Sequence, residues 1–211
     1  ASHGKLPDDE PGPSTFHVRT LWTAEREDDV MTCAYSPDGT HVLCGGQDKK
    51  LSLFDVKTGD KVWTVEFADW VMTCAFSPDG AHVLCGGDKK LSLLDAKTGE
   101  IKLWTFEFAD VVRTCAFSPD GTQVLCGGYD RKLSLLDAKT GEKVWTVECA
   151  SYVQTCAFSP DGAHVLCGGW DKKLSLSDAK TGEIKVWTFE FADDVSTCAF
   201  SPDGTQALCG S

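Results

Sequence analysis

Residues 30–67 read VMTCAYSPDGTHVLCGGQDKKLSLFDVKTGDKVWTVEF, and this stretch decides the fold. Met31–Tyr35 is a short apolar stretch that ends in Ser36-Pro37-Asp38-Gly39. That is a turn signal, because proline presets φ and glycine accepts a positive φ. His41–Gly45 is a second strand, and Gly46-Gln47-Asp48-Lys49 a second turn. Leu51–Asp55 alternates as a third strand, and Lys57-Thr58-Gly59-Asp60 turns again. Lys61–Phe67 alternates once more, with Trp63, Val65 and Phe67 on one face and Thr64 and Glu66 on the other. Four short strands with a turn signal every 8–12 residues predict an all-β unit. The β-branched alternation and the glycine pairs exclude a helical repeat.

The unit recurs. Ser-Pro-Asp-Gly starts at Ser36, Ser77, Ser118, Ser159 and Ser201, at intervals of 41, 41, 41 and 42 residues. Cys33, Cys74, Cys115, Cys156 and Cys198 keep step with it, as do Trp22, Trp63, Trp104, Trp145 and Trp187. A fixed period of this length is the mark of a repeat architecture. Residues 1–15 lie outside the pattern and read as a linker-like or disordered tail, rich in Pro, Gly and Asp. Residues 16–211 make about 4.8 units, with first strands starting near 31, 72, 113, 154 and 196. His17–Ala24 reads as a fourth strand at the front. Thr197–Phe200 and Gln206–Cys209 read as strands one and two of a fifth unit that lacks its third.

These residues resemble the tryptophan–aspartate (WD) repeat of β-propellers. The resemblance rests on the 41-residue period, Phe-Ser-Pro-Asp-Gly, the Gly-Gly-x-Asp turn and the Asp-x-Lys-Thr-Gly that follows strand three. It implies that each unit is a four-stranded antiparallel blade. It leaves three arrangements open: a closed five-bladed ring with an incomplete last blade, a fragment of a longer array, or a ring completed by another chain. The chain departs from the family at several points. The naming dipeptide is Phe54-Asp55, Leu94-Asp95, Leu136-Asp137 and Ser177-Asp178, and the family's Gly-His pair is absent. Cys44, Cys85, Cys126 and Cys167 stand where the family has a hydroxyl. Of the family's buried hydrogen-bond set only Asp48, Asp88, Asp130 and Asp171 remain, and a backbone N–H of their own turn is an available partner. The expectation is therefore blades held mainly by apolar stacking.

Composition narrows the function. A net charge of −12 argues against a nucleic-acid partner. No apolar run reaches the length of a membrane span, and no signal-peptide pattern opens the chain. Ten of the eleven cysteines are locked to the repeat, and Cys149 replaces the phenylalanine of Phe67, Phe108 and Phe191. No Cys-x-x-Cys exists, and the odd spacing of His41/Cys44, His82/Cys85 and His164/Cys167 puts each pair on opposite faces of a strand. A cross-strand disulfide is open if the Ser36–His41 hairpin sets Cys33 opposite Cys44. The plainer reading is small buried thiols in a reducing, cytoplasmic setting. No nucleophile, base, phosphate loop or metal set breaks the repeat's symmetry, so neither catalysis nor a cofactor is expected.

The copies differ at few places. One series is Asp29, Trp70, Val111, Tyr152 and Asp194; a second is Met31, Met72, Arg113, Gln154 and Ser196. A third is Gln47, Tyr129 and Trp170, with a deletion in unit two that Ile101 restores. A fourth is Phe54, Leu94, Leu136 and Ser177. In the resembled fold the first and third series share one rim. Variation in loops on a fixed frame is what a recognition surface permits, and aromatics and arginine are the usual anchors. The candidate partner-binding residues are Gln47, Trp70, Met72, Arg113, Tyr129, Tyr152, Gln154, Trp170 and Asp194. The expected function is a scaffold that presents this rim to a protein or peptide. The alternatives are a structural subunit held among other subunits or copies of itself, and a ligand sensor at the central channel.

Overall fold

The computed structural model describes residues 20–183 and 187–210. Blade one is β1 (Val30–Tyr35), β2 (His41–Gly46), β3 (Lys50–Asp55) and β4 (Lys61–Glu66). Blade two is β5 (Val71–Phe76), β6 (His82–Gly87), β7 (Lys90–Asp95) and β8 (Ile101–Glu107). Blade three is β9 (Val112–Phe117), β10 (Gln123–Gly128), β11 (Lys132–Asp137) and β12 (Lys143–Glu148). Blade four is β13 (Val153–Phe158), β14 (His164–Gly169), β15 (Lys173–Asp178) and β16 (Trp187–Glu190). The fifth unit holds β17 (Thr197–Phe200) and β18 (Ala207–Gly210). Each blade is an antiparallel meander in chain order, as its sequence predicts, and the fold is all-β of propeller type. The tail, Ala1–Thr15, falls outside the described residues. From Thr20 to Arg26 no strand forms, so the described part of the expected leading strand is irregular.

The turns form for the reasons their residues suggest. The Ser36 hydroxyl donates to Asp38 Oδ1 at 2.6 Å and accepts from the His41 amide at 2.9 Å. Asp38 Oδ1 also accepts from the Thr40 amide at 3.0 Å. Asp55 accepts from the amides of Lys57 and Thr58, which closes the Lys-Thr-Gly turn. The deletion at Asp88 shortens the β6–β7 turn, where Gly86 faces Leu91, and the insertion at Ile101 is absorbed by a wider bulge: Leu93 faces Trp104 while Leu94 already faces Ile101.

The core lies between blades. Leu43, Leu51 and Leu53 of blade one pack against Val71, Val83, Cys85 and Leu94 of blade two, and the same set recurs at the next junction. Polar links between blades are richer than the sequence predicts. Trp22 Nε1 donates to the Val56 carbonyl at 2.7 Å, Trp63 to Ala96 at 2.9 Å, Trp104 to Ala138 at 2.9 Å and Trp145 to Ala179 at 3.0 Å. Each indole lies over the glycine of the next blade's Thr-Gly turn. A Cβ on Gly141, whose φ is +72°, would stand 2.7 Å from Trp104 Cγ. A second rung joins first strands: Thr32 Oγ1 accepts from the Cys74 amide at 3.1 Å and meets its sulfur at 3.4 Å, and Thr114 does the same with Cys156. Apolar stacking is thus supplemented by two repeated hydrogen-bonded contacts.

Among the described residues, equivalent core positions are more exposed in the first and last units than in the units between them. Val30 is 53% exposed, whereas its counterparts Val71, Val112, Val153 and Val195 are 1% exposed. Leu208 is 73% exposed, whereas Leu43, Leu84, Leu125 and Leu166 are 0% exposed.

Candidate functional site

The loops from a fourth strand to the next first strand, and those between strands two and three, meet on one rim. Tyr129 follows β10, Tyr152 precedes β13 and Trp170 follows β14. Their rings form one cluster: Tyr129–Tyr152 at 5.0 Å, Tyr152–Trp170 at 5.0 Å and Tyr129–Trp170 at 6.2 Å between centroids. Arg131 lies over the Tyr152 ring at 5.5 Å. Such contacts hold aromatic side chains in place at modest entropic cost. Trp170 remains 47% exposed at the edge of the cluster.

The other candidates divide. Arg113 Nε donates to Gln154 Oε1 at 3.0 Å, linking β9 to β13. Gln47 directs its amide at the Met31 sulfur, 3.7 Å away. Trp70 is exposed on the loop before β5, and Asp194 is half-buried on the loop after β16. Met72 is buried on β5, so it offers little surface to a partner. The fourth series is buried too: Phe54 stacks on Trp22 at 6.0 Å, and Leu94, Leu136 and Ser177 lie in the core.

Two features escape a reading of the sequence. Arg26 makes a fork: Nε to Asp48 Oδ2 at 2.9 Å, Nη2 to Oδ1 at 2.5 Å, and further bonds to the carbonyls of Cys44 and Lys50. Burial pushes the Asp48 carboxyl up, but the guanidinium and the Lys50 amide outweigh it and hold the group below the usual carboxylate range. Asp130 and Asp171 accept the expected bond from their own turn, from the Lys132 and Lys173 amides. Without such an arginine, burial raises the Asp130 carboxyl. The signal for Arg26 is its place four residues after Trp22, where later units carry Phe67, Phe108, Cys149 and Phe191.

The second feature is a groove between successive blades. Where Phe67 fills it, the cavity measures about 320 Å³. At the corresponding place between blades three and four, Cys149 stands instead of phenylalanine, and the cavity measures about 480 Å³. Ser177 lines this cavity where Phe54, Leu94 and Leu136 stand in the other blades. Among the described residues, no three His, Cys, Asp or Glu side chains gather as metal ligands.

Repeated four-stranded blades, joined tryptophan to turn, define a propeller-repeat protein. Comparison with known families agrees. The model described as "Outer membrane protein assembly factor BamB" matches residues 87–208, and that described as "WD domain, G-beta repeat" matches residues 17–55 and 59–95. The units under the first match are near-copies of those under the second, so both fall on one repeat. The matches are consistent with a WD40-type repeat protein. It is similar to "Guanine nucleotide-binding protein subunit beta-1" of Drosophila melanogaster, with 55% identity over 29 residues. That stretch is 14% of this chain and spans only 8% of the relative. Proteins of this family serve in general as non-enzymatic scaffolds for protein interaction.

Proposed function

We propose that the chain is an interaction scaffold whose partner, a protein or peptide, docks on the loop rim around Tyr129, Tyr152 and Trp170. The observation that carries this reading is the convergence of those three rings. They come from three separate loops, at positions where otherwise near-identical copies differ. Drift in exposed turns favours small polar residues, whereas clustered aromatics beside an arginine are the composition of interface anchors. The loops before β1, β5, β9 and β17 carry Asp28, Asp69, Asp110 and Asp193, and Lys49 and Lys172 spend their ammonium groups on the Ala68 and Ala192 carbonyls. This favours a ligand that offers an apolar side chain flanked by basic ones. The cysteine content favours a reducing compartment, the cytoplasm among them.

The test is a selection of random peptides on the wild-type protein. Selected peptides are then measured against a variant carrying Tyr129→Ala, Tyr152→Ala and Trp170→Ala, with circular dichroism as the folding control. Binders that weaken at least about tenfold on the variant support the reading. Binders that hold their affinity for a folded variant overturn it.

A further inference from the structure

Five times in this chain a residue four places beyond a tryptophan lies over the cysteine of the next second strand. Phe67 packs in the cluster that holds Cys85, Phe108 with Cys126, and Phe191 with Cys209. Arg26 takes the same place over Cys44, bonding its carbonyl. Only between blades three and four is the covering residue itself a thiol: Cys149 packs in the cluster that contains Cys167. Both line the enlarged cavity, with Asp171, Ser175 and Ser177 around them. Cys85 and Cys126, under phenylalanines, are buried, while Cys167 is half-buried, as are Cys44 under Arg26 and Cys209 under Phe191.

We propose that Cys149 and Cys167 are a redox pair that peroxide converts to a disulfide, stapling blade three to blade four. Cys149 belongs to the end of one blade and Cys167 to the middle strand of the next, so the bond crosses the junction. The Cys149 thiolate attacks one oxygen of hydrogen peroxide. The O–O bond breaks, hydroxide leaves and takes a proton, and Cys149 becomes a sulfenic acid. Cys167 gives up its proton and attacks that sulfur. The S–O bond breaks and a second water departs. Two thiols are oxidised by two electrons while one peroxide is reduced to two waters. Excess low-molecular-weight dithiol reverses the bond by exchange.

The surroundings assign the two roles. The neighbouring Cys167 thiol, which shares the cavity, holds Cys149 below the ordinary thiol range, against burial and the nearby Asp171. The same contact, with burial, pushes Cys167 well up. Cys149 is thus the attacking sulfur and Cys167 the resolving one. Cys156 faces Cys167 across the β13–β14 pair, but burial pushes its thiol up as well, as it does at Cys115 and Cys74, each raised to about 12.

Trypsin releases Val144–Lys172 as one peptide that contains Cys149, Cys156 and Cys167. The experiment treats the folded protein with a few equivalents of hydrogen peroxide, alkylates it, digests it and weighs this peptide. The expected product carries one alkyl group and has lost two hydrogens, and it forms roughly tenfold faster than any other cysteine in the chain is oxidised. Cys156→Ser keeps the bond; Cys149→Ser and Cys149→Phe lose it, the last restoring the residue of the other blades. In Cys167→Ser, a sulfenic-acid trap labels Cys149. Three alkyl groups on the oxidised wild-type peptide overturn the proposal. So does a bond that survives Cys149→Phe and disappears in Cys156→Ser, which would place it across β13 and β14.

Discussion

Replacing Arg26 by alanine isolates a carboxylate that has almost no water of its own. The side chains of Arg26 and Asp48 are 8% and 4% exposed. The guanidinium makes four hydrogen bonds, two to the carboxylate and two to the carbonyls of Cys44 in β2 and Lys50 at the start of β3. Without it, Asp48 retains the Lys50 amide at 3.1 Å. A charge-assisted bond contributes about 1.5–3 kcal/mol and a neutral one about 0.5–1.5 kcal/mol. Simple addition overshoots, because the bonds share one group and water enters the vacated place. Breaking a buried pair from one side costs about 3–5 kcal/mol, and with that water the lower end applies, about 3 kcal/mol. Urea denaturation followed by tryptophan fluorescence should show the midpoint fall by roughly 1–1.5 M at pH 7, taking a slope of about 2–3 kcal/mol per M. The pH dependence is the sharper readout. In the wild type the folded Asp48 is depressed, so its contribution is complete above the unfolded value near 4 and is lost only as pH falls through the lower folded value. In Arg26→Ala the remaining desolvation raises the folded group above its unfolded value. The variant should therefore gain stability on going from pH 7 to pH 5, where the wild type stays level. In Arg26→Phe with Asp48→Ala, which gives blade one the residue of its neighbours and removes the charge, most of the loss should disappear. Arg26→Ala within 0.5 kcal/mol of wild type, on the same roughly 1 kcal/mol scale as a single bond, or with the wild-type pH profile, would refute the account of this pair.

Three further outcomes follow from the geometry. Gly141→Ala combines a left-handed backbone with a Cβ 2.7 Å from Trp104, and should cost about 2–4 kcal/mol in chemical denaturation, with a displaced Trp104 indole N–H resonance. Cys149→Phe should raise the thermal midpoint by filling the cavity between blades three and four, a gain of about 1–2 kcal/mol in calorimetry. Asp38 and Asp203 are drawn down to about 2, first by the hydroxyls of Ser36 and Ser201 and then by backbone amides. A depressed carboxyl stabilises the fold above the unfolded value and ceases to do so as pH falls through the folded one. The urea midpoint should hold between pH 7 and 5 and fall between pH 4 and 2, and Asp38→Asn should soften that fall.

Much of the fold is legible in the residues because turns are local. Ser-Pro-Asp-Gly and Lys-Thr-Gly close on their own hydrogen bonds, so the strands between them are bounded, and Cys33 does stand opposite Cys44 as the hairpin requires. The shared rim was legible too: Tyr129 and Trp170 occupy equivalent loops, Tyr152 a loop of the other series, and the three rings meet. What a single unit cannot show is its grip on the next. The Trp63–Ala96 bond and the Thr32–Cys74 rung span 33 and 42 residues and have no local signal. Arg26 hides because it occupies a phenylalanine position at the front of the array, where the copies are least alike. Cys149 and Ser177 are each visible as departures, but only the stacking of blades brings them to one cavity.

The indole bond gives the array a direction. From Trp22 to Trp145 each indole reaches forward to a turn carbonyl and glycine that receive it, as with Trp104 over Ala138 and Gly141. The two ends of any shortened array are consequently unequal. Removing a blade from the front empties a receiving turn, which water can solvate. Removing one from the rear leaves an indole that has lost both its acceptor and its seat. Deletions of equal length should thus be tolerated better at the front, and the order in which blades come apart should run against the order in which they are translated.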